Sequence, residues 1–153
     1  MKIYPKKSLG QNFLKNENII NQIVRLGEIK NDSIVLEIGP GTGNLTSEII
    51  KKKPKKIYAI EKDDHLYFKL KDKFKSKLEL INKDVLKMEW SFLANKNVIV
   101  FGNLPYNISS QILVNWIRIE NLSSFFKCFI LMFQKEVADR LIAEVNSNKY
   151  GRL

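Results

Sequence analysis

With 153 residues, the chain has room for one compact domain and not for two. A hydrophobic fraction of 44% supports a core and excludes a disordered tail, and no apolar stretch approaches the ~20 residues of a membrane span. A net charge of +10 favours a polyanionic partner, while a single cysteine, Cys128, excludes an intrachain disulfide and a metal site built on paired cysteines. Lysine, isoleucine and asparagine are abundant, which an AT-rich genome also produces, so charge alone does not decide for nucleic acid. No apolar stretch of signal-peptide length follows Met1 to Lys7, and a cytoplasmic protein away from membranes is expected.

In chain order, Glu17 to Glu28 carries Ile19, Ile20, Ile23, Val24 and Leu26 at helical spacing. Ile34 to Ile38 reads as a buried strand that runs into a glycine-rich turn. A helix is predicted from about Asn44 to Lys53, with Leu45, Ile49 and Ile50 inward and Pro54 just beyond it. Lys56 to Ile60 is a second strand, Asp64 to Lys75 a charged helix, Leu78 to Ile81 a third strand and Val98 to Phe101 a fourth. Ser109 to Glu120 is a helix with Ile112, Leu113, Trp116 and Ile117 on one face. Phe125 to Phe133 contains a fifth strand, and Gln134 to Val145 is a last helix that packs through Val137, Leu141, Ile142 and Val145. Short apolar strands alternating with amphipathic helices define a doubly wound α/β sheet with helices on both faces. Ligands of such sheets bind at the carboxyl ends of the strands. The turn after Ile38, Glu61, Asp84 and Asn103 all sit just past a predicted strand.

Glu37-Ile38-Gly39-Pro40-Gly41-Thr42-Gly43 has the spacing G-x-G-x-G. It is neither the G-x-G-x-x-G of dinucleotide sites nor a phosphate loop, which needs Gly-Lys-Ser/Thr. Glycines here let the backbone turn sharply and approach a ligand closely. Glu61 can accept hydrogen bonds from both ribose hydroxyls of a nucleoside, and Asp84, in Asn82-Lys83-Asp84, can accept one from an adenine amino group. Each alone is an ordinary solvated carboxylate. Together with the glycine turn they describe a cleft for an adenosine-containing ligand without phosphates.

Asn103-Leu104-Pro105-Tyr106 carries the most chemistry. The adenine amino group is a poor nucleophile because its lone pair is delocalised into the ring. An asparagine oxygen and a backbone carbonyl can accept both of its N–H bonds and aim the lone pair at an electrophilic methyl group. Pro105 fixes the turn, and Tyr106 can stack on a base taken out of its helix. No metal constellation is present. His65 reads as a solvated residue on a charged helix, and Cys128 as a small core residue. The lysines from Lys51 to Lys56 and from Lys69 to Lys77 read equally as an RNA patch or as solvated helix ends. Lys2, Lys6 and Lys7 lie beside the predicted catalytic mouth, where a role in RNA binding fits better.

At these positions the sequence resembles the ribosomal RNA adenine dimethyltransferases, with the bacterial small-subunit (16S) branch as the best match. The resemblance begins at Lys7-Ser8-Leu9-Gly10-Gln11-Asn12-Phe13-Leu14 and runs through Glu37 to Gly43, Glu61, Asp84 and Asn103 to Ser109. It ends at Gln134 to Arg140 and Tyr150-Gly151-Arg152-Leu153. It implies a Rossmann-like class I sheet and S-adenosylmethionine as methyl donor. The substrate would be two adjacent adenosines near the 3′ end of 16S rRNA, in the immature 30S subunit. It implies that Gln11, Asn12 and Leu14 close over the cofactor, and that Gly39, Gly41, Glu61, Asp84 and Asn103 contact it or the adjacent base. Tyr106 and Phe133 would hold the target base, although Phe133 reads equally as a core residue at a strand end. The family continues past Leu153 into two more strands and a small helical RNA-binding domain. Residues 1–153 are therefore expected to be the amino-terminal catalytic part of a protein that is monomeric when whole. Two alternatives stay open: a methyltransferase of large-subunit rRNA that confers antibiotic resistance, and a mainly non-catalytic ribosome-assembly factor.

Overall fold

The computed structural model describes residues 4–6, 10–105 and 108–151. Helix α1 (Glu17–Leu26) precedes strand β1 (Ile34–Ile38), followed by α2 (Asn44–Lys51), β2 (Lys56–Ile60), α3 (Asp64–Phe74) and β3 (Glu79–Ile81). Strand β4 (Val98–Asn103), α4 (Ser109–Ile117), α5 (Leu122–Phe125), β5 (Phe126–Met132) and α6 (Lys135–Leu141) complete the order. All strand pairs are parallel, in the order β3-β2-β1-β4-β5. The expected α/β sheet is thus present, and β5 is its edge, paired with β4 alone among the described residues.

Alternation along the strands sorts the core into two halves. Leu36, Ile38, Tyr58, Ile60, Val98 and Val100 pack with Ile112 and Trp116 of α4 on one face. Val35, Ile57, Ile99 and Phe101 pack with Ile20, Ile23 and Val24 of α1 and Leu45 and Ile49 of α2 on the other. Burying each such aliphatic side chain contributes about 1.5–3 kcal/mol, so both faces must be covered for the parallel sheet to persist. The starts of α1 and α3 are set by short polar side chains. Asn16 caps α1 through the Ile19 N–H (3.2 Å), and Asp63 caps α3 through the N–H groups of His65 and Leu66 (3.0 and 3.2 Å).

Several boundaries differ from the sequence reading. Strand β4 extends to Asn103, which is therefore its last residue and not a residue beyond it. Strand β3 starts at Glu79 and not Leu78 but ends at Ile81 as expected, and Asp84, just past it, opens a 3-10 turn, Val85–Lys87. The last helix stops at Leu141, and Ile142 and Val145 are 81% and 68% exposed instead of packed. Ile19, Leu26 and Ile117 are likewise exposed, so only the central stripe of α1 and of α4 reaches the core. Helix α5 and the 3-10 turns Lys75–Lys77, Val85–Lys87 and Ser91–Leu93 have no counterpart in the sequence reading. Among the described residues no helix is long and apolar enough to cross a membrane.

Candidate functional site

The strand order reverses between β1 and β4, and at that point the carboxyl ends of the strands enclose a cavity of about 140 Å³. Gln11, Asn12, Gly39, Gly41, Glu61, Asp84, Asn103 and Pro105 all line it. Sequence positions spread from 11 to 105 therefore converge on one space. Leu14 lies beside a second, smaller cavity of about 30 Å³, which Glu37, Gly39, Gly41 and Asn103 also line.

The glycine turn is held open by backbone geometry that side chains rarely adopt. Gly39, Gly41 and Gly43 have φ of +65°, +60° and +76°. At Gly43 space adds a second constraint, because a Cβ would stand 2.5 Å from Phe74 and 2.9 Å from Leu70. Lys73 of α3 donates to the carbonyls of Thr42 and Gly43 (3.1 and 3.5 Å), so this lysine supports the turn.

Glu61 follows β2 directly and is buried. Its Oε2 accepts the Gly41 N–H (3.1 Å) and its Oε1 the Asp63 N–H (2.9 Å), which leaves each oxygen a lone pair for a further donor. Burial pushes its carboxyl up, against the pull of those N–H groups. Asp84 accepts the Leu86 N–H (3.0 Å) and the Lys62 ammonium (2.9 Å). Burial raises its carboxyl, but the Lys62 contact and the Leu86 N–H together hold it below the usual range.

Asn103 donates its Nδ2 to the Asn12 carbonyl at 2.6 Å. A carbonyl can only accept, so this contact fixes the amide's orientation and leaves Oδ1 as the end that can accept from a ligand. Leu104 is buried in the core against α4, so its main chain alone can take part in chemistry. Tyr106 lies outside the described residues, as do Lys2 and Lys7. Phe133 is half-buried, packs against the α4 side of the core and is not among the residues that line the cavity.

Other positions resolve more plainly. Lys6 pairs with Asp63 at 2.7 Å. Lys51 and Lys56 pair with Glu48 and Glu79. His65 is exposed, and half-buried Cys128 packs with the α1–α2 side of the core, where burial pushes its thiol up.

Two residues stand out that sequence reasoning did not select. Asp63 is buried and joins the amino-terminal segment to the end of β2. Glu37 is 1% exposed, and burial, reinforced by the Glu61 charge, pushes its carboxyl up to about 7. Thr46 stands close enough to favour the charged form, yet neither its Oγ1 nor Glu37 Oε2 has a hydrogen-bond partner among the described residues. A buried carboxylate oxygen without a partner is costly, and this one belongs to a residue lining the smaller cavity.

A parallel sheet in this order, with a glycine turn beyond β1 and carboxylates beyond β2 and β3, is the Rossmann-like sheet of the class I S-adenosylmethionine-dependent methyltransferases. A dimethyladenosine transferase from Plasmodium falciparum superposes with a TM-score of 0.78 at 34% identity, over 91% of this chain and 49% of that one. The 23S rRNA methyltransferase ErmE superposes with a TM-score of 0.72 at 27% identity, over 84% of this chain and 50% of that one. Residues 4–153 match the model of the family described as ribosomal RNA adenine dimethylase. The chain is 52% identical over its whole length to the ribosomal RNA small subunit methyltransferase A of Pelagibacter ubique, and 46% identical over 99% of its length to that of Ehrlichia ruminantium. It belongs to the ribosomal RNA adenine dimethylase family. It spans 58% of the length of each of these two relatives.

Proposed function

We propose that residues 1–153 are the cofactor-binding catalytic part of an enzyme that dimethylates two adjacent adenosines near the 3′ end of 16S rRNA in the immature small subunit. The observation that carries this reading is the convergence of Glu61, Asp84 and an oriented Asn103 on one cavity at the switch point of the sheet. Identity of 52% to a small-subunit methyltransferase, against 27% to a large-subunit one, supports the small-subunit target.

The residues present fit S-adenosylmethionine. Glu61 offers carboxylate lone pairs to a ribose, Asp84 an acceptor to an adenine amino group, and the turn at Gly39 and Gly41 a surface without side chains. Glu37 supplies a buried carboxylate oxygen, unpartnered among the described residues, to which the ammonium of the methionine portion would be complementary. When bound, the cofactor supplies a methyl group already activated on a sulfonium, so catalysis rests on positioning. Asn103 Oδ1 and the main-chain carbonyl of Leu104 hold the two N–H bonds of the target amine and turn its lone pair toward the donor. Pro105 keeps the turn rigid, and Tyr106 holds the extruded base.

The test is methyl transfer from labelled S-adenosylmethionine to immature small subunits, followed by mapping of the modified bases. The parent protein should label two adjacent adenosines near the 3′ end of 16S rRNA. Asn103→Ala should abolish transfer while cofactor binding largely persists. Labelling of large-subunit RNA, or an Asn103→Ala protein as active as its parent, contradicts the proposal.

A further inference from the structure

We propose that Asp63 and Lys6 latch the amino-terminal segment across the cavity, and so act as positioning residues for the cofactor and for Asn103. The inference rests on the reading of the cavity as the S-adenosylmethionine site.

The Asp63 carboxylate does more than cap α3. Capping occupies Oδ1 alone, through the N–H groups of His65 and Leu66. Asparagine or serine would serve that purpose as well as aspartate. What capping does not require is the use made of Oδ2, which receives the Lys6 ammonium at 2.7 Å and the Gln11 side-chain amide at 3.2 Å. Lys6 and Gln11 are in turn tied to each other, by the Lys6 N–H on Gln11 Oε1 (2.9 Å) and the Gln11 N–H on the Lys6 carbonyl (3.3 Å). The carboxylate that gathers these groups is 1% exposed, so its partners are needed to keep it charged.

Beyond this anchor, residues 10–14 border the site. Gln11 and Asn12 line the cavity beside Glu61, and the Asp63 N–H itself holds Glu61 Oε1. One residue on, the Asn12 carbonyl receives Asn103 Nδ2, and two further on the Leu14 carbonyl receives Asn44 Nδ2 at 2.8 Å. The segment is thus fastened at the end of β2, at the end of β4 and at the start of α2, with the cavity between. A closed segment meets the cofactor already ordered, whereas an open one must be closed by binding, which weakens the apparent affinity by the fraction closed. The latch therefore acts on cofactor retention, and it keeps the Asn12 carbonyl where it orients the Asn103 amide.

Lys6→Met and Asp63→Asn test this, the latter retaining an effective cap for α3. Calorimetric titration with S-adenosylmethionine should show binding weakened about tenfold in each, the scale of a lost charge-assisted contact with one half-exposed partner. The KM for the cofactor should rise accordingly, with a far smaller change in kcat, because excess cofactor closes the segment. Lys6→Arg, which keeps a cationic donor, should restore most of the affinity. Amide exchange at Gln11 and Asn12 should quicken in Lys6→Met while the cofactor-free melting temperature stays near that of the parent. Unchanged affinity in both variants, or affinity lost only in step with the melting temperature, overturns the latch. If the parent itself fails to bind, the reading of the cavity falls, and the latch with it.

Discussion

Replacing Glu37 with glutamine isolates the most unusual electrostatic feature of the molecule. Burial disfavours the charged form and pushes its carboxyl up to about 7 in the folded chain, from an ordinary value of 4.5. At about 1.4 kcal/mol per pH unit, that rise corresponds to about 3 kcal/mol of stability. A raised folded value means that the folded state holds the extra proton. The contribution is therefore fully present below pH ~4.5, declines as pH rises toward ~7, and is gone above it. Glutamine cannot titrate, so Glu37→Gln should lack this decline. Urea denaturation of both proteins from pH 4 to pH 8, without cofactor, reads the effect directly. The stability of the variant minus that of the parent should climb by about 3 kcal/mol across the range. Unmatched amide N–H groups can shift the whole difference curve by about 1–3 kcal/mol but cannot change its slope. Two parallel stability curves would refute the reasoning, since they would mean that Glu37 titrates alike in the folded and unfolded chain. The same variant should bind S-adenosylmethionine more weakly, because the charge that would complement its ammonium is lost.

Two further substitutions separate support of the site from its chemistry. Gly43→Ala places a Cβ against Phe74 and Leu70 at a φ of +76°, and should destabilise the chain by about 2–3 kcal/mol in thermal or urea unfolding; a loss below ~0.5 kcal/mol would contradict it. Asp84→Asn keeps a cap for the turn at Val85 but gives up the ion pair to mostly exposed Lys62, so stability should move by less than ~1 kcal/mol. Cofactor affinity in that variant should fall about tenfold, through loss of a charged acceptor for the adenine amino group. A large stability loss with unchanged affinity would reduce Asp84 to a structural cap.

Much of this architecture was legible because its signals are local. Runs such as Ile34 to Ile38 and Lys56 to Ile60, bounded by turn residues, locate buried parallel strands within a residue or two. Once the strands are placed, Glu61, Asp84 and Asn103 follow from their position at strand ends. The last helix shows the limit. Its apolar spacing continues to Val145, but periodicity states which face would bury and not whether a surface waits for it, and Ile142 and Val145 meet none among the described residues. Leu104 shows a second limit, since the sequence marks the tetrapeptide but not that its leucine side chain belongs to the core. The roles of Asp63 and Glu37 were out of reach for another reason. One depends on a lysine far away in the chain, and the other on the lack of a partner, which appears only when every neighbour is in place.

The measurement that bears most directly on the central claim is calorimetric titration of the 153-residue chain with S-adenosylmethionine. The account predicts saturable binding at one site per chain, weakened by substitution of Glu61. A folded chain that takes up no cofactor would contradict the claim that residues from Gln11 to Asn103 assemble its site.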